Sequence, residues 1–447
     1  MQQNFKRKAY SRMLEWKAKL AGKYALLVEG ARRVGKTHLV RSFVEKEYDS
    51  FIFIDFSHKD TIVRESKKAF TEERGVEGTL ERLQTIHRTS LVPGRSCVVF
   101  DEVQCFPVAR EAIKQLVSYG KYHYIETGSL LGIRENVKDI VVPSEEHRMK
   151  LHPLDLEEFM WALGADKTVE TIRERFAEGK PLGWLHAEAT KLGRQYMVVG
   201  GMPQSVEAYC LGGDHRLEAS DAAKREILSL YETDIGKYAR GYAPKVRALF
   251  RHIPGALHTR EKKFHLADID RNARMRRYEN AFLWLGDSMI ANIAYNSTDP
   301  GVGLEMNLDD SLFKCYLLDT GLLLTQAISG GHDEDGKLLR AVLYDKIGIN
   351  EGMFFENYVA QALTSLDYDL LFHSRSKPRI EIDFLIRRGI KTCPIEVKSS
   401  GYRVHASLDW LVANRRGALG AKYVMCTGDF EFSNGITYLP FYMAHCL

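Results

Sequence analysis

Cysteine is scarce in this chain. Seven are scattered over 447 residues (Cys97, Cys105, Cys210, Cys315, Cys393, Cys426 and Cys446), none forms a CxxC pair, and the count is odd. That pattern argues against a disulfide framework and for a reducing compartment, so a cytoplasmic location is expected. Long hydrophobic runs are missing too. No stretch approaches the roughly 20 apolar residues that cross a bilayer. The opening MQQNFKRKAYSRMLEWKAKL has no apolar signal-peptide core, and no membrane partner is expected. There is no internal repeat and no low-complexity linker. The chain also lacks a strong charge of one sign, with 63 Lys+Arg against 59 Asp+Glu for a net +4. A 45% hydrophobic and 27% charged composition excludes collagen-like, disordered and mucin-like classes. At about 100–200 residues per domain, the length implies two to four domains.

The small net charge hides an uneven distribution. From Lys237 to Asn280 there are 12 Lys+Arg and 4 Asp+Glu, a local +8, which leaves −4 for the rest of the chain. A basic island on an acidic background points to nucleic acid, although a solvated helical face would look the same.

The first third alternates strand-like and helix-like runs. Tyr24–Glu29 (YALLVE), Phe51–Ser57 (FIFIDFS), Cys97–Phe100 (CVVF) and His123–Glu126 (HYIE) are short and apolar. Such strands joined by helical crossovers predict an α/β fold with a parallel sheet and helices on both faces. Pro153 to Tyr238 reads as helical by its 3.6-residue period, interrupted at Gly200-Gly201-Met202-Pro203. After the basic island, the last 130 or so residues return to mixed α/β, with a helix FFENYVAQALTSL and a strand pair IEIDFLIRRGIKTCPIEVK.

YALLVE runs into Gly30-Ala31-Arg32-Arg33-Val34-Gly35-Lys36-Thr37, the pattern GxxxxGK[ST], followed by a helix-compatible run from His38. Strand before and helix after are the context such a loop requires. The loop backbone from Gly30 to His38 can cradle phosphates at a helix N-terminus. Lys36 would neutralise the β- and γ-phosphates, and the Thr37 hydroxyl would reach Mg2+. Asp101-Glu102 follow another buried strand. Asp101 is the expected Mg2+ partner and Glu102 the general base that polarises the attacking water. Thr127-Gly128-Ser129 ends a further strand, where a polar side chain would feel the γ-phosphate.

GARRVGKT, VVFDEVQ, YIETGS, PLDLEEF, GGMP and FKCYLLDTGL together resemble AAA+-type P-loop ATPases of bacteria and archaea with a C-terminal domain of unknown function. The resemblance covers nearly the whole chain. It implies an ATPase core with strand order 5-1-4-3-2, a helical lid and a winged-helix segment, with ATP and Mg2+ as cofactors. Thr127 or Ser129 stands where many of the wider class have Asn. An arginine completing the γ-phosphate site is expected. Arg148 is the candidate, in cis or from a neighbouring subunit, with Arg134 behind it.

Two further segments suggest function. Asp268–Asn280 reads as a helix carrying Arg271, Arg274, Arg276 and Arg277, preceded by the amphipathic KVRALFRHI and followed by an extended stretch. Helix, turn, helix and wing is a winged-helix order, with the arginines toward DNA phosphates and Phe282 and Leu285 toward the core. In the C-terminal region Asp383 lies on one strand, and Glu396 and Lys398 share a face of the next. Glu356 on the helix FFENYVAQAL completes a set that resembles the PD-(D/E)XK nuclease core. There Glu356, Asp383 and Glu396 would bind Mg2+ or Mn2+, and Lys398 would orient the water.

The expected organisation is an AAA+-type ATPase core over 1–155, a lid over 156–236, a winged-helix-like segment over 237–310 and a nuclease-like α/β domain over 311–447. The expected function couples ATP binding and hydrolysis to DNA binding, with metal-dependent cleavage as an added activity. The alternative is an ATP-dependent switch whose C-terminal parts bind a protein partner without cutting. A second copy of the chain is a further candidate partner.

Overall fold

The structure is a computed structural model that describes residues 5–72, 75–129, 144–239, 241–259, 262–265, 269, 275–301, 303–328, 351–415, 417 and 419–447. Two compact units divide the chain. One comprises Lys6–His152 with Asp287–Met289, the other Pro153–Gly286 with Ile290–Leu447.

The first unit opens with α1 (Lys8–Lys19), then β1 (Ala25–Glu29), α2 (Lys36–Glu47), β2 (Ser50–Asp55), α3 (Thr61–Glu72) and α4 (Gly75–His87). It continues with β3 (Ser96–Asp101), α5 (Pro107–Glu111), α6 (Ile113–Tyr119), β4 (His123–Gly128) and β5 (Glu146–Lys150). The strands form one parallel sheet in the order β2-β3-β4-β1-β5, the expected 5-1-4-3-2 read from the opposite edge. β1 and β3 are buried along their whole length, as strands covered on both faces must be. One face packs Ala25, Leu27, Ile52, Ile54, Val98 and Phe100 against α3 to α6. Phe56, Phe70, Phe100 and Phe106 knit that core, with ring centroids 5.1 to 6.5 Å apart. α2 packs on β2 and β4. It also meets α1 through Phe43 and Tyr10, at 5.3 Å between ring centroids.

The apolar pattern of the sequence does not locate β5. It is an edge strand with sequence EHRMK, in which only Met149 supplies the apolar signal of a strand.

The second unit begins with five helices: α7 (Leu156–Ala162), α8 (Asp166–Glu178), α9 (His186–Val199), α10 (Pro203–Leu211) and α11 (Arg216–Tyr238). Next come α12 (Ala243–His258), α13 (Met275–Asp287), β6 (Ala291–Ser297), β7 (Leu308–Leu317) and α14 (Thr320–Ile328). The chain closes with α15 (Glu351–Ser365), β8 (Leu371–Arg375), β9 (Ile380–Arg388), β10 (Lys391–Val397), α16 (Ala406–Asn414), β11 (Tyr423–Cys426), β12 (Glu431–Ser433) and β13 (Ile436–Pro440). Its strands form one sheet in the order β12-β13-β11-β10-β9-β8-β6-β7. The 310/311 boundary expected from the sequence therefore falls inside β7. The extended stretch read as a wing, β6, lies with β7 at the end of the C-terminal sheet, joined to it by parallel pairing of β6 with β8.

The motifs without evident chemistry meet in this unit. Leu154 N–H donates to the Gly201 carbonyl at 2.7 Å. Tyr196 Oη donates to the Leu154 carbonyl at 2.6 Å. Asp155 starts α7 with a reciprocal cap, its carboxylate accepting from Glu158 N–H at 2.9 Å while Glu158 accepts from Asp155 N–H at 3.2 Å. Asp319 of LLDTGL is fully buried and accepts from Gly201 N–H at 2.6 Å and Leu322 N–H at 2.9 Å. Gly200 has φ 79°, and a Cβ there would overlap the Asp319 carboxylate. PLDLEEF, GGMP and LLDTGL are thus complementary parts of one joint rather than three chemical motifs.

Candidate functional site

The loop between β1 and α2 turns back on itself. Gly35 caps α2 with φ 96°, a conformation that side chains disfavour. Gly30 packs so tightly on the Leu151 carbonyl that a Cβ would overlap it. Lys36, the first residue of α2, is buried, and its ammonium donates to the carbonyls of Gly30 at 2.9 Å and Ala31 at 3.0 Å. Burial holds it below the ordinary lysine range. Ala31 and Val34 are buried, Arg32 and Arg33 exposed, and Thr37 and His38 half-buried.

Three elements then converge. Thr37 Oγ1 donates to the Asp101 carboxylate at 2.9 and 3.1 Å. Thr127 Oγ1 donates to Asp101 Oδ1 and accepts from Glu102 N–H at 3.2 Å. Asp101 is fully buried at the end of β3, and burial pushes its carboxyl up to about 6 against the pull of the two hydroxyls. Glu102 takes a left-handed conformation, φ 52° and ψ 47°, and its carboxylate accepts from Gln104 Nε2. Lys36, Thr37, Asp101, Glu102 and Thr127 are therefore brought together. Ser129 lies just past the end of β4.

The arginines are placed differently. Arg148 sits on edge strand β5, 3.8 Å from both the Glu29 and the Glu146 carboxylate. Arg134 lies outside the described residues. Sequence reasoning missed the acids behind this arginine. Glu146 makes a two-point ion pair with Arg110 at 2.7 Å on both arms, with both side chains 1% exposed. Glu126, on β4 next to Thr127, is fully buried. Burial and then the neighbouring Glu146 push its carboxyl well above the carboxylate range. A glutamate within the apolar run of a buried parallel strand, as at Glu126, was the available signal.

Residues 22–160 match the family model described as an AAA domain. This stretch is similar to AAA domains and carries the phosphate-loop pattern at Gly30–Thr37. Two further models match, both described as domains of unknown function: DUF8612 over residues 190–332 and DUF4143 over residues 351–443. A comparison with curated proteins gives no match. Among solved structures, the AAA-bearing chain is similar to Drosophila ORC bound to DNA at 12% identity and a TM-score of 0.30, over 72% of this chain and 95% of that one. It is also similar to the S. cerevisiae Hsp104-ADP complex at 13% identity and a TM-score of 0.27, over 82% of this chain and 45% of that one. For Cdc6p from Pyrobaculum aerophilum the values are 12% identity and a TM-score of 0.23, over 76% and 93%. At such low TM-scores the fold assignment rests on the loop and the strand order. No described helix is long and apolar enough to cross a membrane.

The AAA domain has the donors its ligands need. The loop offers backbone N–H groups at the α2 N-terminus, and Lys36 supplies a cation for phosphate oxygens. The groups that bond Asp101 from α2 and β4 are hydroxyls, so its negative charge stays available to Mg2+.

The C-terminal acids do not fit a metal in this way. β9 and β10 form the expected hairpin, turning at Gly389-Ile390 with Ile395 opposite Phe384. Asp383 Oδ2 accepts from Val397 N–H at 2.8 Å. Glu396 pairs with Lys398 at 2.9 Å. Burial, with Asp383 close by, pushes the Glu396 carboxyl up to about 7. Glu356 on α15 is fully buried. It accepts from Lys262, from Lys314 at 2.9 Å and from Tyr316 Oη at 2.5 Å. Among the described residues, no group of three or more His, Cys, Asp or Glu is arranged to hold a metal ion.

The basic island is partly spent on the protein's own acids. Arg251 makes a two-point contact with Glu232 at 2.7 Å on both arms, and Lys262 and Lys263 pair with Glu356 and Glu381. Arg276 and Arg277 lie on the backbone of α13, while Arg271 and Arg274 are outside the described residues. Phe282 and Leu285 are buried as expected, with Phe282 stacking edge-on against Phe313 at 4.4 Å between centroids.

Proposed function

We propose that the chain binds ATP at Gly30–His38 and hydrolyses it to ADP and phosphate. The observation that carries this reading is the hydrogen-bonded chain Thr37–Asp101–Thr127–Glu102, which ties the phosphate loop, the acidic strand and β4 together beside Lys36. Thr37 and Asp101 would hold Mg2+, which supplies positive charge to the phosphate oxygens. Lys36 exchanges its loop carbonyls for phosphate oxygens. Glu102 takes a proton from the attacking water as the new P–O bond forms and the bond to the β-phosphate oxygen breaks. Thr127 holds the Glu102 backbone and Asp101 in one geometry. Arg148 remains the proposed γ-phosphate arginine, once released from Glu29 and Glu146.

The test pairs two variants. Glu102→Gln should retain nucleotide binding and lose about 10²–10⁴-fold in turnover, the usual contribution of general-base catalysis. Lys36→Ala should lose binding itself, read with a fluorescent nucleotide. Turnover of Glu102→Gln at the wild-type rate would rule out Glu102 as base.

The nucleotide state is proposed to control contact with DNA through Arg271, Arg274, Arg276 and Arg277. Support for DNA comes from the charge pattern of the sequence, less the residues bound to internal acids. The nuclease-like cleavage expected from the sequence is not part of this reading.

A further inference from the structure

The C-terminal acidic cluster carries its own cations. Four carboxylates, Glu356, Glu381, Asp383 and Glu396, are met by four ammonium groups, Lys262, Lys263, Lys314 and Lys398. Lys314 is central. It is fully buried on β7, 2.9 Å from Glu356, 2.9 Å from Glu381 and 3.5 Å from Asp383. Lys262 contacts the other Glu356 oxygen, Lys263 stands 3.6 Å from Glu381, and Lys398 stands 2.9 Å from Glu396.

We propose that Lys314 and Lys262 occupy the place a divalent cation would take in this acidic cluster, making it a metal-independent ion-pair core. The lysines come from outside the α15-β9-β10 frame that carries the acids, from β7 and from the segment before α13. The core therefore fastens β7 and the segment before α13 onto that frame. Balanced charge removes the repulsion that makes a bare acidic site attract metal. Removing one partner of such a buried set leaves an uncompensated charge and is strongly destabilising, so the lysines cannot simply move aside for a cation. Glu396 Oε2 is buried without a hydrogen-bond partner. It offers a single oxygen, whereas Mg2+ and Mn2+ demand a fuller shell of oxygen ligands.

The test measures Mn2+ binding by electron paramagnetic resonance on the full chain carrying Lys36→Ala to silence the nucleotide site. No Mn2+ signal that depends on Asp383 is expected, so adding Asp383→Asn should change nothing. Mn2+ bound in the presence of Asp383 and lost in Asp383→Asn would overturn the proposal. A second arm removes the cations with Lys314→Met and Lys262→Met together. The variant should gain at least tenfold in Mn2+ affinity, and Asp383→Asn should abolish the gain. A folded double variant that gains nothing would show that the lysines do not fill a cation position. Should the double variant fail to fold, the first arm decides alone.

Discussion

Asp319→Ala should damage the second unit more than any single hydrogen bond would. The side chain accepts from two buried backbone N–H groups, Gly201 at 2.6 Å and Leu322 at 2.9 Å, and from Gln361 Nε2 at 3.3 Å. Truncation leaves both N–H groups without their acceptor in a dry interior. Each such loss costs about 1–3 kcal/mol, so about 2–6 kcal/mol of unfolding free energy should disappear. Asp319→Asn keeps one carbonyl acceptor but turns an amide donor toward the other N–H, and should fall between the two. Gly200→Ala is costly for a separate reason, because its Cβ would overlap the carboxylate and its φ is 79°. In the Asp319→Ala background the overlap is gone and only the backbone strain remains. The pair should therefore be coupled, with an interaction energy of about 0.5–3 kcal/mol. Trp161, Trp184, Trp284 and Trp410 all lie in this unit and only Trp16 in the other. Urea melts followed by tryptophan fluorescence accordingly report the unit in question. A loss under about 1 kcal/mol for Asp319→Ala, or strict additivity with Gly200→Ala, would refute the joint as a stabilising device.

Two further predictions concern charge. Glu126 is held above the carboxylate range by burial and then by Glu146, with Arg110 and Arg148 opposing. Its contribution to stability is therefore complete below the unfolded carboxylate pKa and lost as pH rises through the folded value. Glu126→Gln, which does not titrate, should melt at the wild-type temperature near pH 4 and higher at pH 8, by about 2–4 °C for each kcal/mol relieved. A gap that shrinks toward pH 8 would contradict this. Neutralising Arg271, Arg274, Arg276 and Arg277 together should weaken DNA binding on every sequence and flatten the salt dependence by about one unit for each phosphate that is no longer neutralised. Unchanged affinity and slope would assign the basic helix to another role.

The first unit was mostly readable because a parallel sheet buried on both faces advertises its strands as apolar runs. β1 to β4 and the loop after β1 are visible in that way. β5 was not, because Glu146 is buried only as the partner of Arg110, 36 positions earlier. Arg148 lies on the same strand, which the sequence pattern does not reveal. GGMP and LLDTGL could be recognised but not explained, since the reason for Gly200 is the carboxylate of Asp319. The extended stretch after helix α13 read as a wing, because local order does not reveal that β6 pairs with β8.

The two acidic sites differ in what approaches their carboxylates, and that difference separates the chemistry proposed for each. Asp101 is met by the hydroxyls of Thr37 and Thr127, which orient a carboxylate without cancelling its charge. The ammonium of Lys36 is near but donates to loop carbonyls, so it remains free to exchange them for phosphate. Glu356 and Asp383 instead face ammonium groups from distant segments, and nothing in the motif D…ExK records those counter-ions. One clue was present in FKCYLLDTGL. Lys314 stands between the buried Phe313 and Cys315, and a lysine buried within a strand needs a partner for its charge. Lys314 shares its strand face with Tyr316, and both reach Glu356. A spacing of acids thus identifies a fold that could hold a metal. Whether it does is decided by lysines that the spacing leaves out.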